Sequence, residues 1–237
     1  MDGLTDFRRL TWYEWIMMIV MVGIAGWVMV HSFVDPDSSD NPTWLTVVNF
    51  VSAIAGVVCI FFTAKACISN FVFGIVNTVS YMIYLAYWQI YGTFLLEMLV
   101  YLPVSIVSWV MWARHRDWKD RALTKAKKLS KHAILLLAGI VAVSGLVYGE
   151  ILKGLGDPVP MLDAYTVAIG LVAISLELLR YREQYVLWLI TDVIAVAMFI
   201  VHFDPVYLTK KTIYLIMAFV GLYNWCRLAR ERNPRNE

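Results

Sequence analysis

Eight apolar stretches, each about 18 to 22 residues long, take up most of the chain. They run roughly over 14–34, 44–63, 70–88, 92–113, 131–149, 162–179, 185–203 and 209–228. A helix needs roughly 20 apolar residues to cross the hydrocarbon core of a bilayer, and inside that core every backbone N–H and C=O must find an internal partner. A chain that repeats this length eight times has little choice but a bundle of spanning helices. Its composition agrees, since 60% of the residues are hydrophobic and only 16% charged, too little polar material for a water-exposed surface. The sequence therefore predicts an all-α integral membrane protein with eight transmembrane helices. The first stretch contains Trp15 and Trp27 and lacks a small-residue cleavage motif, while Asp2, Asp6 and Glu14 spoil a signal-peptide leader, so it is expected to be retained.

Charge sets the expected orientation. With the N-terminus inside, the inner segments hold Arg8, Arg9, Lys65, the basic run from Arg114 to Lys131, Arg180, Arg182 and the arginines from Arg227 to Arg235. Of the 20 lysines and arginines, only Lys153, Lys210 and Lys211 fall outside. The excess of basic residues on one side places both termini in the cytoplasm. The run "RHRDWKDRALTKAKKLSK" reads as a solvated linker, with contact to anionic lipid as the alternative. Cys59, Cys67 and Cys226 lie in or beside apolar segments without metal-ligand spacing and read as packing residues. No metal, cofactor or nucleic-acid partner is expected.

The second half resembles the first at an offset of about 115 residues. Asn77 falls on Asp192, Phe73 on Trp188 and Lys65 on Arg180; with one residue of slippage Tyr91 falls on Tyr207, Thr93 on Thr209 and Trp109 on Trp225, and Gly56 reaches Gly170 with a similar adjustment. Each unit then holds three helices, and the single helix between them makes both units run the same way through the bilayer. The expected divisions are an extra N-terminal helix (1–36), a first three-helix repeat (44–114), a basic linker with the connecting helix (115–150), a second repeat (161–229) and a cytoplasmic tail (230–237). A parallel repeat of this kind occurs in transporters whose substrate lies between the halves.

Polar groups inside apolar helices point to where. A charge at a helix centre costs about 2.5 to 3.5 kcal/mol on insertion scales, so such residues face a cavity or a partner. Asp192 lies about seven residues into its helix, and Asn77 at similar depth in the matching helix. Residues three and four apart share a helix face, which aligns Tyr185, Trp188 and Asp192, and separately Phe73, Asn77, Tyr81 and Tyr84. A carboxylate beside aromatic faces suits a flat organic cation. Glu97 and Tyr101, four apart on the fourth stretch, join the candidate set. The bland alternatives are a packing hydrogen bond between Asn77 and Asp192, an interfacial role for Tyr185 and helix packing for Trp188. Glu177 is expected to snorkel or to pair with Arg180, and Asn224 to cap backbone carbonyls.

The stretches "ISNFVFGIVNTVSYMIYLAYWQIYG" and "LLRYREQYVLWLITD", the pair Trp109 and Trp112, and Gly221-x-x-x-Trp225 together resemble the PnuC vitamin transporters over about 44–114 and 161–232. The family's second-repeat motif is commonly Trp, Trp three later and Asn four after that; here the positions hold Tyr185, Trp188 and Asp192. The resemblance implies a three-plus-one-plus-three plan similar to sugar facilitators of the SWEET type. It also implies a homotrimer in the bacterial inner membrane and nicotinamide riboside as substrate, trapped after entry by a cytoplasmic kinase. Trp188 and Asp192 would hold the cationic pyridinium ring, and Asn77 and Glu97 the ribose hydroxyls. Thiamine, also a flat cation, fits the same stripe. No P-loop is present, so alternating access by facilitated diffusion is the expected mechanism, with proton coupling through Asp192 or Glu97 as a rival. No H-E-x-x-H or G-x-S-x-G motif supports an intramembrane enzyme, and Lys210 and Lys211 stand at the outer end of the last helix, away from where a retinal lysine would sit.

Overall fold

The computed structural model describes residues 7–35, 41–87, 94, 96–115, 126–154, 160–201 and 205–230. Among them every extended element is a helix, and the one non-helical pairing is an isolated parallel bridge between Lys127 and Tyr181. The helices are α1 (Trp12–Val34), α2 (Thr43–Ala64), α3 (Asn70–Tyr87), α4 (Leu102–Arg114), α5 (Lys131–Gly154), α6 (Pro160–Leu178), α7 (Gln184–Val201) and α8 (Pro205–Arg230). Six of them, α1, α2, α3, α5, α6 and α8, are long and apolar enough to cross a membrane. The apolar part of α7 is shorter, Gln184–Ala197. The pairing of Tyr91 and Thr93 with the second half, the middle of the basic run and the C-terminal tail lie outside the described residues.

Helix α4 is entered through a π-helical turn, Glu97–Tyr101, closed by the Leu102 N–H on the Glu97 carbonyl five residues back. Pro103 explains it. Proline has no N–H to give to the carbonyl of Leu99, so the ladder loosens here and resumes as α-helix afterwards.

The α2–α3 and α6–α7 junctions share one geometry. Ala66 (φ 59°) and Arg180 (φ 67°) are both left-handed, 114 residues apart. Around them Cys67 N–H reaches Phe62 O and Ala66 N–H reaches Thr63 O (both 2.9 Å), while Tyr181 N–H reaches Leu176 O (2.8 Å) and Arg180 N–H reaches Glu177 O (2.9 Å). These are two Schellman caps, which satisfy the last helical carbonyls. A left-handed non-glycine residue costs about 1 to 2 kcal/mol, so each site must be held by its surroundings. Two buried tryptophans hold them crosswise. Trp225 of α8 donates its indole N–H to Thr63 O (2.9 Å), and Trp112 of α4 donates to Glu177 O (3.0 Å). The expected sequence register shifts accordingly: Arg180 matches Ala66 rather than Lys65, and Trp225 matches Trp112 rather than Trp109.

Packing follows the same plan. Helix α2 packs on α3 and α8, while α6 packs on α7 and α4. Helix α5 lies against α6, and α1 against α2 and α8. One apolar core joins α1, α2 and α8 through Met21, Val57, Phe61, Phe62 and Met217. A second, containing Phe71, Trp112, Tyr185 and Trp225, sits at the end of the bundle that carries Lys65 and Arg180. We refer to it as the basic end.

The linker before α5 is not all solvated. Lys127 exchanges backbone hydrogen bonds with Arg180 and Arg182 (2.8 and 3.0 Å), and Leu129 N–H reaches the Glu183 carboxylate (3.1 Å). Burial, and then the neighbouring Arg180 charge, pull the Lys127 ammonium below the usual lysine range.

Helix α1 starts with a capping box, in which the Glu14 carboxylate accepts from the Thr11 N–H (2.6 Å) and hydroxyl (2.8 Å). The same oxygen pairs with Lys65, the C-cap of α2, at 2.7 Å, and Lys65 also donates to Arg9 O at 2.7 Å. Glu14 is fully buried. Removing the cation from such a pair costs about 3 to 5 kcal/mol, because the remaining charge is stranded. Lys65→Met is therefore expected to lower unfolding stability by about that amount, read by equilibrium unfolding in detergent, whereas Glu14→Gln/Lys65→Met should recover much of it. Equal stability of Lys65→Met and wild type would show that the pair does not fasten α1.

Candidate functional site

The polar residues of the interior gather where α2, α3, α4, α7 and α8 approach one another. Gly56 on α2 makes the space. A Cβ there would meet the Tyr214 hydroxyl, the Asn77 Oδ1 at 2.9 Å and the Lys210 Cε at 3.0 Å. With only a hydrogen in that position, three polar side chains converge on the helix backbone. Asn77 Oδ1 accepts from the Ser52 hydroxyl (3.0 Å) and from the Lys210 ammonium (3.1 Å). Gly170, 114 residues on, receives a tyrosine in the same way: the Tyr101 hydroxyl lies 3.0 Å from where its Cβ would be.

Glu97 comes from the π-helical turn, which re-aims side chains relative to a regular helix. Its charge is within electrostatic reach of Lys210, Tyr81 and Tyr101. Tyr81 stacks on Tyr84, with ring centroids 6.3 Å apart and planes 11° apart. A cavity of about 80 Å³ opens beside them, lined by Ser52, Tyr84, Asn49 and Lys210 among others.

Asp192 lies on the neighbouring helix α7 and is almost completely buried. The Lys211 ammonium is 3.3 Å from its Oδ1. Lys210 and Lys211 both lie against the Tyr214 ring, at 5.8 and 5.3 Å from its centroid. One residue apart on α8, they diverge to different partners, Lys210 towards Asn77 and Lys211 towards Asp192. Two ammonium groups thus stand among three interior carboxylates, Glu97, Asp192 and Glu177. Isolated, each would be costly; paired, they are tolerable.

Other expected site residues are distributed differently. Trp188 is half-buried on α7 and hydrogen-bonds the Glu177 side chain. Phe73 packs into an aromatic cluster with Phe62 (centroids 5.6 Å) and Phe7 (5.8 Å). Tyr185, although on the same face as Trp188, lies at the basic end: it is fully buried, its hydroxyl donates to Thr63 O (2.9 Å), and its ring meets Trp225 at 5.8 Å. Asn224 caps a backbone carbonyl as the sequence suggested, donating to Ala64 O (3.2 Å). Among the described residues no cluster of three histidine, cysteine or acidic side chains is placed to hold a metal.

A model of the nicotinamide mononucleotide transporter family matches residues 46–227, a span that includes Asn77, Glu97, Trp188, Asp192, Lys210 and Lys211. A relative from Neisseria mucosa, the nicotinamide riboside transporter PnuC, is 33% identical over 96% of this chain and 86% of its own length. The chain belongs to the PnuC family. This is a family of transporters, not enzymes. The chain is also similar to the nicotinamide riboside transporter PnuC of Haemophilus influenzae, at 28% identity over 92% of this chain and 91% of that one. A solved structure, the crystal structure of the vitamin B3 transporter PnuC, aligns with a TM-score of 0.74 and 32% identity over 94% of both chains.

In this PnuC-family chain Lys210 and Lys211 are interior groups. In the sequence they look like outer charges, because they stand only six and seven positions into α8. A lysine side chain extends several ångströms from its backbone, far enough to carry its charge from a helix end toward the middle. The signal was present: two adjacent lysines on the side otherwise almost empty of basic residues, one helix away from an unexplained aspartate.

Proposed function

We propose that the protein carries nicotinamide riboside across the bacterial inner membrane by facilitated diffusion. The observation that carries this reading is the end-to-end similarity to relatives named for that substrate, which takes in the interior polar cluster as well as the scaffold. The chemistry of the cluster supports it. Trp188 offers an aromatic face, Asp192 a carboxylate, and Asn77, Ser52, Glu97 and Tyr101 donors and acceptors for ribose hydroxyls. Tyr81 flanks this set, while Phe73 and Tyr185 pack in the aromatic clusters behind it.

In this reading eight spans form one extra helix and a three-plus-one-plus-three core, with both termini in the cytoplasm. The matched caps, the crossed tryptophans and the glycine–tyrosine pairs support two parallel units. Rocking of α2–α4 against α6–α8 exposes the site to each side in turn. Phosphorylation by a cytoplasmic kinase then traps the vitamin, and a homotrimer is the working assembly.

Calorimetric titration of the detergent-purified chain tests the substrate, with nicotinamide riboside, nicotinamide mononucleotide and thiamine in parallel. Nicotinamide riboside should bind and the other two bind more weakly. A desolvated cation–π contact is worth about 2 kcal/mol, so Trp188→Ala should weaken binding about 30-fold. Preference for thiamine would keep the transporter and change its vitamin. Unchanged affinity in Trp188→Ala would remove that residue from the site.

A further inference from the structure

Asp192 is the residue best suited to a cationic ligand, yet it already has a cation. Its carboxylate is 5% exposed, and the Lys211 ammonium rests 3.3 Å from one oxygen. The pair is of an exchangeable kind. It rests on one N–O contact, and the Lys211 side chain remains 30% exposed on a flexible four-carbon stem, without the two-pronged grip an arginine would give.

The surrounding charges explain why exchange matters. Lys210 donates to Asn77, and Lys211 to Asp192. A positively charged ring entering beside Lys211 would bring two cations to the one Asp192 carboxylate in an apolar interior. If the ammonium withdraws as the ring arrives, Asp192 keeps a single cation. Lys211 can do so, since it is the more exposed partner of its pair.

We propose that Lys211 is a resident counter-ion of Asp192 which a cationic substrate displaces, so that it sets the site's selectivity for charge. Rejected ligands are of two kinds. A weak cation fails to displace the lysine, and a neutral ligand gains nothing from the carboxylate whether or not the lysine is there. When the site is empty, the ion pair keeps Asp192 from standing as a stranded charge. The proposal rests on the nicotinamide riboside reading above.

The test compares nicotinamide riboside with its reduced, uncharged dihydropyridine form, by calorimetry on the full-length protein. Wild type, Lys211→Met and Lys211→Arg are measured. Lys211→Met should bind the cation about tenfold more tightly and the reduced form unchanged, whereas Lys211→Arg should bind the cation no better than wild type. Should Lys211→Met fail to fold with Asp192 unpaired, Lys211→Met/Asp192→Asn takes its place and should lose the preference for the charged form. Weaker cation binding in Lys211→Met, an equal shift for both forms, or a preserved charge preference in the double variant would overturn the proposal while leaving the substrate standing. If wild type binds neither form, the riboside reading fails and the proposal falls with it.

Discussion

Gly56→Ala should leave the protein folded and reduce its uptake of substrate at least tenfold. The new methyl group would lie 2.9 Å from Asn77 Oδ1 and 3.0 Å from Lys210 Cε, and would crowd the Tyr214 hydroxyl. All three are ends of side chains, so the helix backbone need not move. Alanine inside a helix gains about 1 kcal/mol over glycine, and losing one of the hydrogen bonds on Asn77 costs about as much. The stability change should therefore be small. The function has no such compensation, because Asn77, Lys210 and Tyr214 are pushed out of a common position. Uptake into liposomes and thermal unfolding, measured on the same preparation, separate the two effects. Gly56→Leu should abolish uptake and also lower the melting temperature, since its longer side chain cannot be fitted by moving side-chain ends alone. Wild-type uptake by Gly56→Ala would mean that the convergence of these groups on α2 has no part in transport.

The same region shows what the sequence could and could not reveal. The all-helical, membrane-spanning character was legible, because apolar length is a linear property of a chain. So was the match of Gly56 with Gly170, since a glycine inside a helix stands out. The register of the last helices was not. The sequence pairs Trp109 with Trp225, but the indole hydrogen bonds pair Trp112 with Trp225. A slip of three residues turns a helix by only about 60° from its starting face, so the apolar pattern scores nearly the same in either register. Depth was equally hidden. Tyr185, Trp188 and Asp192 share a face, yet one turn of helix separates a tyrosine sealed at the basic end from a tryptophan in the interior. Lysine reach completed the difficulty: Asp192 was found as an anomaly, and its partner was not, because the partner's backbone lies near a helix end.

The two crossed tryptophans should give the largest stability losses of any single substitutions in the core. Trp112 and Trp225 are both fully buried, and their rings meet at 5.3 Å. Truncating a buried tryptophan to alanine costs about 3 to 5 kcal/mol from lost apolar contact and the cavity left behind. Here the indole N–H also secures a Schellman cap whose central residue is an alanine or an arginine in the left-handed region, so the junction loses its support along with its packing. Phenylalanine separates the contributions. It keeps most of the ring, so Trp112→Phe and Trp225→Phe should cost less than the alanine variants, with the hydrogen bond accounting for about 1 kcal/mol. The two sites should not be equal. Thr63 O still receives the Tyr185 hydroxyl when Trp225 is replaced, whereas Trp112 is the side-chain donor seen on Glu177 O. Trp225→Phe is therefore expected to be the milder change, and Trp225→Phe/Tyr185→Phe to lose more than the sum of its parts. Unfolding titrations of these four tryptophan variants, of Tyr185→Phe and of the double variant decide it, and strict additivity would show that the two side-chain donors on Thr63 O do not substitute for one another.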